Sequence, residues 1–247
     1  MSGSALVLAG RGRYQDRWHD DAASAHLIAG ALGAAGLRVR VRGTALHALS
    51  GPGGREDGQD GEPSLIVVVA GTGRVDPDWD GDDAAWAPFH ARLAALVAGG
   101  VPLLAVHQAA NTFTDAPGWA RSTGGRWVPG VSMHPPIGPA RFEAVPGEEH
   151  PVVAGLGPVE AFDERYCHLQ VEPGSRVLLT TEHEGVAHPV VWQAPGPGRV
   201  LYDGLGHDAR SYESASRREL LRREVAWLLS GDRDVPGSPT SPPPAGP

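Results

Sequence analysis

The chain has 247 residues, 41% of them hydrophobic, and a formal net charge of −8. That length and apolar content suit one α/β domain with a sizeable core, and an acidic balance without a basic cluster argues against nucleic acid as a partner. All 21 basic residues are arginine, which removes any lysine Schiff-base chemistry, and the single cysteine, Cys167, can close no internal disulfide. The apolar run in "MSGSALVLAGRGRY" follows no basic segment and is too short for a signal peptide or membrane span, so no membrane partner and a cytoplasmic location are expected.

Ala5–Gly10 is a short apolar run ending in glycine, the pattern of a buried parallel strand. Asp20–Ala35 carries apolar residues at helical spacing, and Gly36 closes it. Leu37–Val41 alternates apolar residues with arginine, as an edge strand does. Ser50–Pro63 is almost free of apolar residues and is expected to be a mobile surface loop. Leu65–Ala70 is the strongest strand pattern in the chain, Asp83–Ala98 reads as a helix ending at Gly99-Gly100, and Leu103–Val106 is the next strand. This alternation calls for right-handed crossovers and a parallel sheet. The second half is less regular. Arg141–Val145, Arg176–Thr181, Pro189–Gln193 and Arg199–Tyr202 are strand candidates, some of them antiparallel, and Ser214–Leu229 is a final amphipathic helix. Residues 1–230 are read as a single domain. The Pro-rich segment 231–247, with "VPGSPTSPPPAGP" at its end, has no means of packing and is expected to be a disordered tail.

Ligands of open α/β sheets bind beyond the carboxyl ends of the strands, and the polar residues gather there. The first strand delivers "GRGRYQDRWHD" with Arg11, Arg13, Tyr14, Trp18 and His19; the third delivers "GTGRVD"; the fourth delivers His107, Gln108 and Asn111; the late strand delivers "GLGHDARSYE" with His207, Asp208, Ser211 and Tyr212. Such groups are costly in a core. A histidine at a strand end is commonly a hydrogen-bonded structural residue, but His107 and His207 together, both where the topology expects a site, point to function. Asp208 could cap the following helix or fix the neighbouring imidazole. Arg11 and Arg13 read as solvated charges, and "GRGRY" lacks the glycine spacing and lysine of a phosphate loop. Gly124–Pro136, with Trp127 and His134, is too rich in Gly and Pro for a regular element and suits a lid or binding wall. Its indole would either stack on a sugar face or anchor the loop. Pro151 after His150 suggests a turn into a short helix. Asp163 and Glu164 are adjacent carboxylates near His168, and spacing alone favours a solvated loop pair.

In chain order, "AVHQAANTF", "GGRWVPGVSMHPP", "HPVVAGL" with "FDERYCH", "RVLLTTEHEG", "HPVVW" before "GRVLYDGLGHDARSYE", and the closing "RRELLRREVAWLL" resemble the ThuA-like proteins. This is the trehalose-utilisation family of the class I glutamine-amidotransferase-like superfamily. The resemblance runs from Ala5 to Leu229. It implies an α/β, flavodoxin-like fold: a mostly parallel sheet flanked by helices, with an additional antiparallel portion in the second half. It also implies that His107 occupies the tight strand-to-helix turn where amidotransferases of this fold carry a nucleophilic cysteine. With no thiol there, the chain is not expected to hydrolyse glutamine through a thioester. Ala105 stands where the family usually has glycine, and Arg165 interrupts its usual Asp-Glu-Leu-Tyr.

The first functional reading is an enzyme of carbohydrate metabolism, a hydrolase, lyase or isomerase acting on a sugar or keto-glycoside without a cofactor. In it His107 is the base or acid, His207 its partner, Asp208 the orienting carboxylate and Glu164 a second carboxylate. His19, Asn111, Trp127, His134 and Tyr212 would bind the sugar. The second is a divalent-metal-dependent hydrolase or lyase using His19, His107, His207 and a carboxylate, although no tight motif such as H-E-x-x-H supports it. The third is a sugar-binding protein that keeps the pocket without the reaction. The expected partner is a small sugar-type ligand, and assembly with further copies of the chain is left open.

Overall fold

The computed structural model describes residues 3–49 and 62–230. The predicted loop at 50–63 lies mostly outside them, and the predicted tail at 231–247 wholly outside. Along the described chain run β1 (Ser4–Ala9), α1 (Asp21–Ala34), β2 (Arg38–Gly43), β3 (Leu65–Val69), α2 (Pro77–Asp80), α3 (Asp83–Ala98), β4 (Leu103–Val106), α4 (Trp119–Thr123), β5 (Gly125–Arg126), β6 (Gly138–Ala144), β7 (Val159–Asp163), β8 (Gln170–Val171), β9 (Arg176–His183), β10 (Val186–Gln193), β11 (Val200–Asp203) and α5 (Ala215–Leu229). Nine strands form one sheet in the order β2-β1-β3-β4-β11-β10-β9-β6-β7. The pairings from β2 to β11 are parallel, and those from β11 to β7 are antiparallel.

The apolar runs explain the parallel half. A strand covered on both faces must be hydrophobic throughout, and every residue of β1, β3 and β4 is buried. Because side chains alternate across a sheet, each strand feeds two cores. Val7, Val67 and Leu104 pack against Ile28 and Leu32 of α1 and Leu221 and Val225 of α5. Leu8, Val68 and Ala105 pack against Trp86, Phe89 and Leu93 of α3. α5 reaches its core with Arg217, Leu220, Leu221, Glu224, Val225 and Leu228, the i, i+3, i+4, i+7 stripe that makes a helix amphipathic. Helix ends are specified locally. Asp20, Asp82 and Ser214 cap α1, α3 and α5 through Ala23, Ala85 and Arg217 amides. α1 ends with Leu37 donating to Leu32 and Gly36 to Gly33, and Gly36 has the positive φ (86°) that this terminator requires.

The antiparallel extension shows where pattern reading falls short. The four strand candidates of the second half are present with shifted ends, whereas β7 was read as part of a carboxylate loop. After Pro151 the chain makes a single turn rather than a helix, with Val153 and Ala154 both donating to the His150 carbonyl. The Gly124–Pro136 segment is partly regular: β5 pairs with β8, and Met133 bridges Cys167. The β9–β10 hairpin turns through Glu184 and Gly185, both at positive φ (51° and 76°), as a tight two-residue turn demands.

Strand direction is the consequence that matters for function. Four successive reversals from β11 return β7 to the direction of the parallel strands, so its carboxyl end faces the same edge as theirs. The extension also curls, bringing β7 against α5 and the turn at Ala209–Glu213. Leu104 is fully buried in β4, between β3 and β11. Leu104→Ala is expected to destabilise the fold by about 2–5 kcal/mol, read as a lower urea midpoint at unchanged m-value.

Candidate functional site

β4 ends at Val106, and the chain enters a 3-10 turn over His107–Ala110. His107 takes φ = 48°, a left-handed conformation that costs a non-glycine residue about 1–2 kcal/mol. Its fully buried imidazole makes one hydrogen bond, from Nδ1 to the Gly204 carbonyl at 2.8 Å. A carbonyl only accepts, so Nδ1 carries a proton, and Nε2 is the ring atom left facing the site. The Tyr166 ring stacks on the imidazole at 4.2 Å, and Tyr202 Oη donates to the His107 carbonyl.

Three further groups meet Nε2, two of them just beyond a strand end and one just ahead of α1. His19 lies in the segment between β1 and α1; its Nδ1 is 2.8 Å from the Asp16 carboxylate, which also accepts the Trp18 and His19 amides. That arrangement leaves His19 Nε2 as the inward atom. Glu164 follows β7, with Oε2 3.4 Å from His107 Nε2 and 3.3 Å from His207 Nδ1. His207 follows β11. The ring centroids are 5.0 Å apart for His19–His107, 4.6 Å for His19–His207 and 5.6 Å for His107–His207. One ligating atom from each of His19, His107, Glu164 and His207 lies within 4.8 Å of all the others. His19 Nε2, His107 Nε2 and His207 Nδ1 are buried without any hydrogen-bond partner. The contacts to Glu164 are electrostatic approaches and not aligned hydrogen bonds.

The charges respond to this crowding. Burial alone would raise the Glu164 carboxyl, but the His107 and His207 imidazoles outweigh it and hold it well below the usual carboxylate range. Burial alone would lower the His207 imidazolium, and Glu164 more than offsets that, so His207 is raised. Burial pushes the His19 imidazole below its ordinary range against the pull of Asp16, with His107 and His207 adding to the depression. Asp21, buried beside the Gln108 amide that donates to it, is driven up by burial and by Asp16 and Asp20 to about 8.

The expected site residues separate accordingly. His19, His107, Glu164 and His207 converge. His134 is exposed, with Nδ1 3.4 Å from Glu164 Oε1, and Trp127 is half-buried with its ring 4.8 Å from Tyr166 and 6.1 Å from His134. Trp127 also ties its loop down, its amide donating to the Ala110 carbonyl. Asn111 closes the 3-10 turn, with Oδ1 buried and unpartnered. Asp208 does not orient His207: it sits 4.0 Å from Nε2, pairs with Arg210 and caps the turn at Ala209–Glu213. Tyr212 is not a wall residue but part of the α5-side core, packed over the Arg217 guanidinium. Glu164 and Asp163 are no solvated pair, since both are buried. Arg13 is likewise buried and bonded to Asp83 and Asp115. The sequence reading gave Asp16 and Tyr166 no role and Asp163 only that of a solvated carboxylate. Only Asp16 carries a readable signal, the Asx-turn spacing three residues before His19.

A stability window follows from the two shifts. Glu164 contributes above its unfolded value of 4.5 and loses that contribution only as pH falls through its depressed folded value. His207 contributes fully below its unfolded value of 6.5 and loses its share as pH rises through its raised folded value. In metal-free protein, the stability gap between wild type and Glu164→Gln is therefore expected to be widest near pH ~5.5 and to narrow towards pH ~9. Urea denaturation at stepped pH checks this, and a gap that widens with pH would contradict it.

Solved structures share the fold. A ThuA-like protein from Parabacteroides merdae ATCC 43184 aligns over 95% of this chain and 92% of its own at 17% identity and a TM-score of 0.69. A ThuA-like protein from Bacteroides uniformis ATCC 8492 aligns over 94% and 93% at 17% identity and a TM-score of 0.64. A glutamine amidotransferase from Thermotoga maritima aligns over 94% and 100% at 10% identity and a TM-score of 0.57. No curated protein matches the chain. The family described as "Trehalose utilisation" matches residues 71–228, more than half the chain and the stretch that holds His107, Glu164 and His207. This chain belongs to the ThuA family.

Proposed function

We propose that the chain is a metal-dependent enzyme acting on a small sugar-type substrate, with His19, His107, Glu164 and His207 as the ligands of one divalent cation. The observation that carries this reading is the set of three buried imidazole nitrogens with no hydrogen-bond partner, converging on one carboxylate. Without a cation these three nitrogens face one another unpartnered in a poorly solvated space, an arrangement that costs free energy. Three neutral imidazoles and a carboxylate suit a first-row divalent metal such as zinc. Metal–ligand bonds of that class place tetrahedral neighbours about 3.4 Å apart, and the two Glu164 edges measure 3.4 and 3.3 Å. The partners behind the ligands also fit: Asp16 behind His19 and the Gly204 carbonyl behind His107 fix the tautomers that turn Nε2 inward.

A cation held this way polarises a carbonyl or lowers the pKa of bound water. The chain's own residues supply the remainder. His134 and Trp127 border the Glu164 side and offer a polar edge and an indole face to a polyol. The family's description, trehalose utilisation, points the substrate class towards carbohydrates. A second reading, metal-free acid–base chemistry on a keto-glycoside, draws on the same His107 lone pair, with the raised His207 as the acid.

Tag-free protein is expected to bind one Zn²⁺ per chain by calorimetry. His107→Ala and His207→Ala should each weaken binding by more than about 100-fold, beyond the 10–100-fold typical of losing an outer-shell partner. Turnover of a keto-glycoside that stops on chelation and returns with metal supports the proposal. Chelator-resistant turnover moves the assignment to acid–base chemistry, and sugar binding without consumption leaves a binding protein.

A further inference from the structure

We propose that Asp163, which touches none of the four inward-facing ligand atoms, is the positioning residue that fixes where Glu164 and His207 stand; the inference rests on the metal-site reading. Asp163 is the last residue of β7 and is buried. Its carboxylate accepts four hydrogen bonds. Oδ1 takes the Glu164 amide at 2.9 Å and the His207 amide at 3.1 Å, and Oδ2 takes the Gly206 amide at 2.8 Å and Ser211 Oγ at 2.5 Å. One side chain thus joins the backbone of the far sheet edge to the backbone beyond β11, 43 and 44 residues away in the chain.

Alternative clamps are absent around these amides among the described residues. The Gly206, His207 and Glu164 amides all donate to Asp163. Gly206 holds φ = 113°, and a Cβ there would lie 2.5 Å from Tyr212 Oη. The loop therefore enters the site along one tight path, and a carboxyl group whose two oxygens each accept two bonds is what pins these amides. Asparagine in its place keeps the volume but turns one two-bond acceptor into a donor facing donors. The Glu164 and His207 side chains then lose their shared reference point, although neither has been changed.

Asp163→Asn is expected to keep its far-ultraviolet circular dichroism, to bind Zn²⁺ about 10–100-fold more weakly than wild type, and to show an altered visible d–d spectrum at saturating Co²⁺. A general loss of stability would leave that spectrum unmoved. Hydrogen exchange of the Gly206 and His207 amides should accelerate in the variant, a readout that needs no metal. Wild-type affinity and spectrum in Asp163→Asn would overturn the proposal. Should that variant fail to fold, Ser211→Ala decides: several-fold weaker Zn²⁺ binding with faster Gly206 exchange supports it, and wild-type behaviour overturns it. If wild type itself binds no metal, the metal-site reading falls separately, and the two amides' exchange in the variant still supports or sinks the role of Asp163.

Discussion

The hydrogen bond from His107 Nδ1 to the Gly204 carbonyl spans neighbouring strand ends and fixes the orientation of the most deeply buried ring of the candidate site. It places a proton on Nδ1, turns Nε2 towards His19, Glu164 and His207, and ties the left-handed elbow after β4 to the loop after β11. Fully buried, that imidazole has no solvent to complete its valence. Whatever satisfies Nε2 must come from the three groups that meet it or from something they hold between them.

Much of the frame was legible in the chain. Continuous apolar runs gave β1, β3 and β4 because burial on both faces leaves no alternation to confuse them. The caps Asp20, Asp82 and Ser214 and the terminator Gly36 are local chemistry, which is why the helix ends fell close to their expected places. His19, His107 and His207 were readable for a related reason, since each lies shortly after a strand that pattern alone identifies. β7 was not, because its five residues include Glu160 and Asp163, and nothing local says that an acidic edge strand will curl back over α5.

The errors at the site share one cause. Proximity along the chain suggested that Asp208 serves His207 and that Asp163 with Glu164 faces water. In three dimensions the carboxylate nearest the His207 ring comes from the edge strand four places away in the sheet, and Asp208 is taken by Arg210 and its own turn. Tyr212 was misplaced for a similar reason: its position beside a polar loop says nothing of the inward rotation that buries its ring against Arg217. Family membership and fold explain the elbow and the strand order, while the chemistry is decided by pairs with no fixed spacing in sequence.

The return of β7 to the parallel direction has a structural corollary. Three of the converging groups hang from the parallel half of the sheet, whereas Glu164 is delivered by an outermost strand with a neighbour on one side only. Edge elements open at lower free energy than central ones. The constellation is therefore built like a clasp, three prongs on strands paired on both sides and one on a margin that Asp163 and α5 fasten back to the frame.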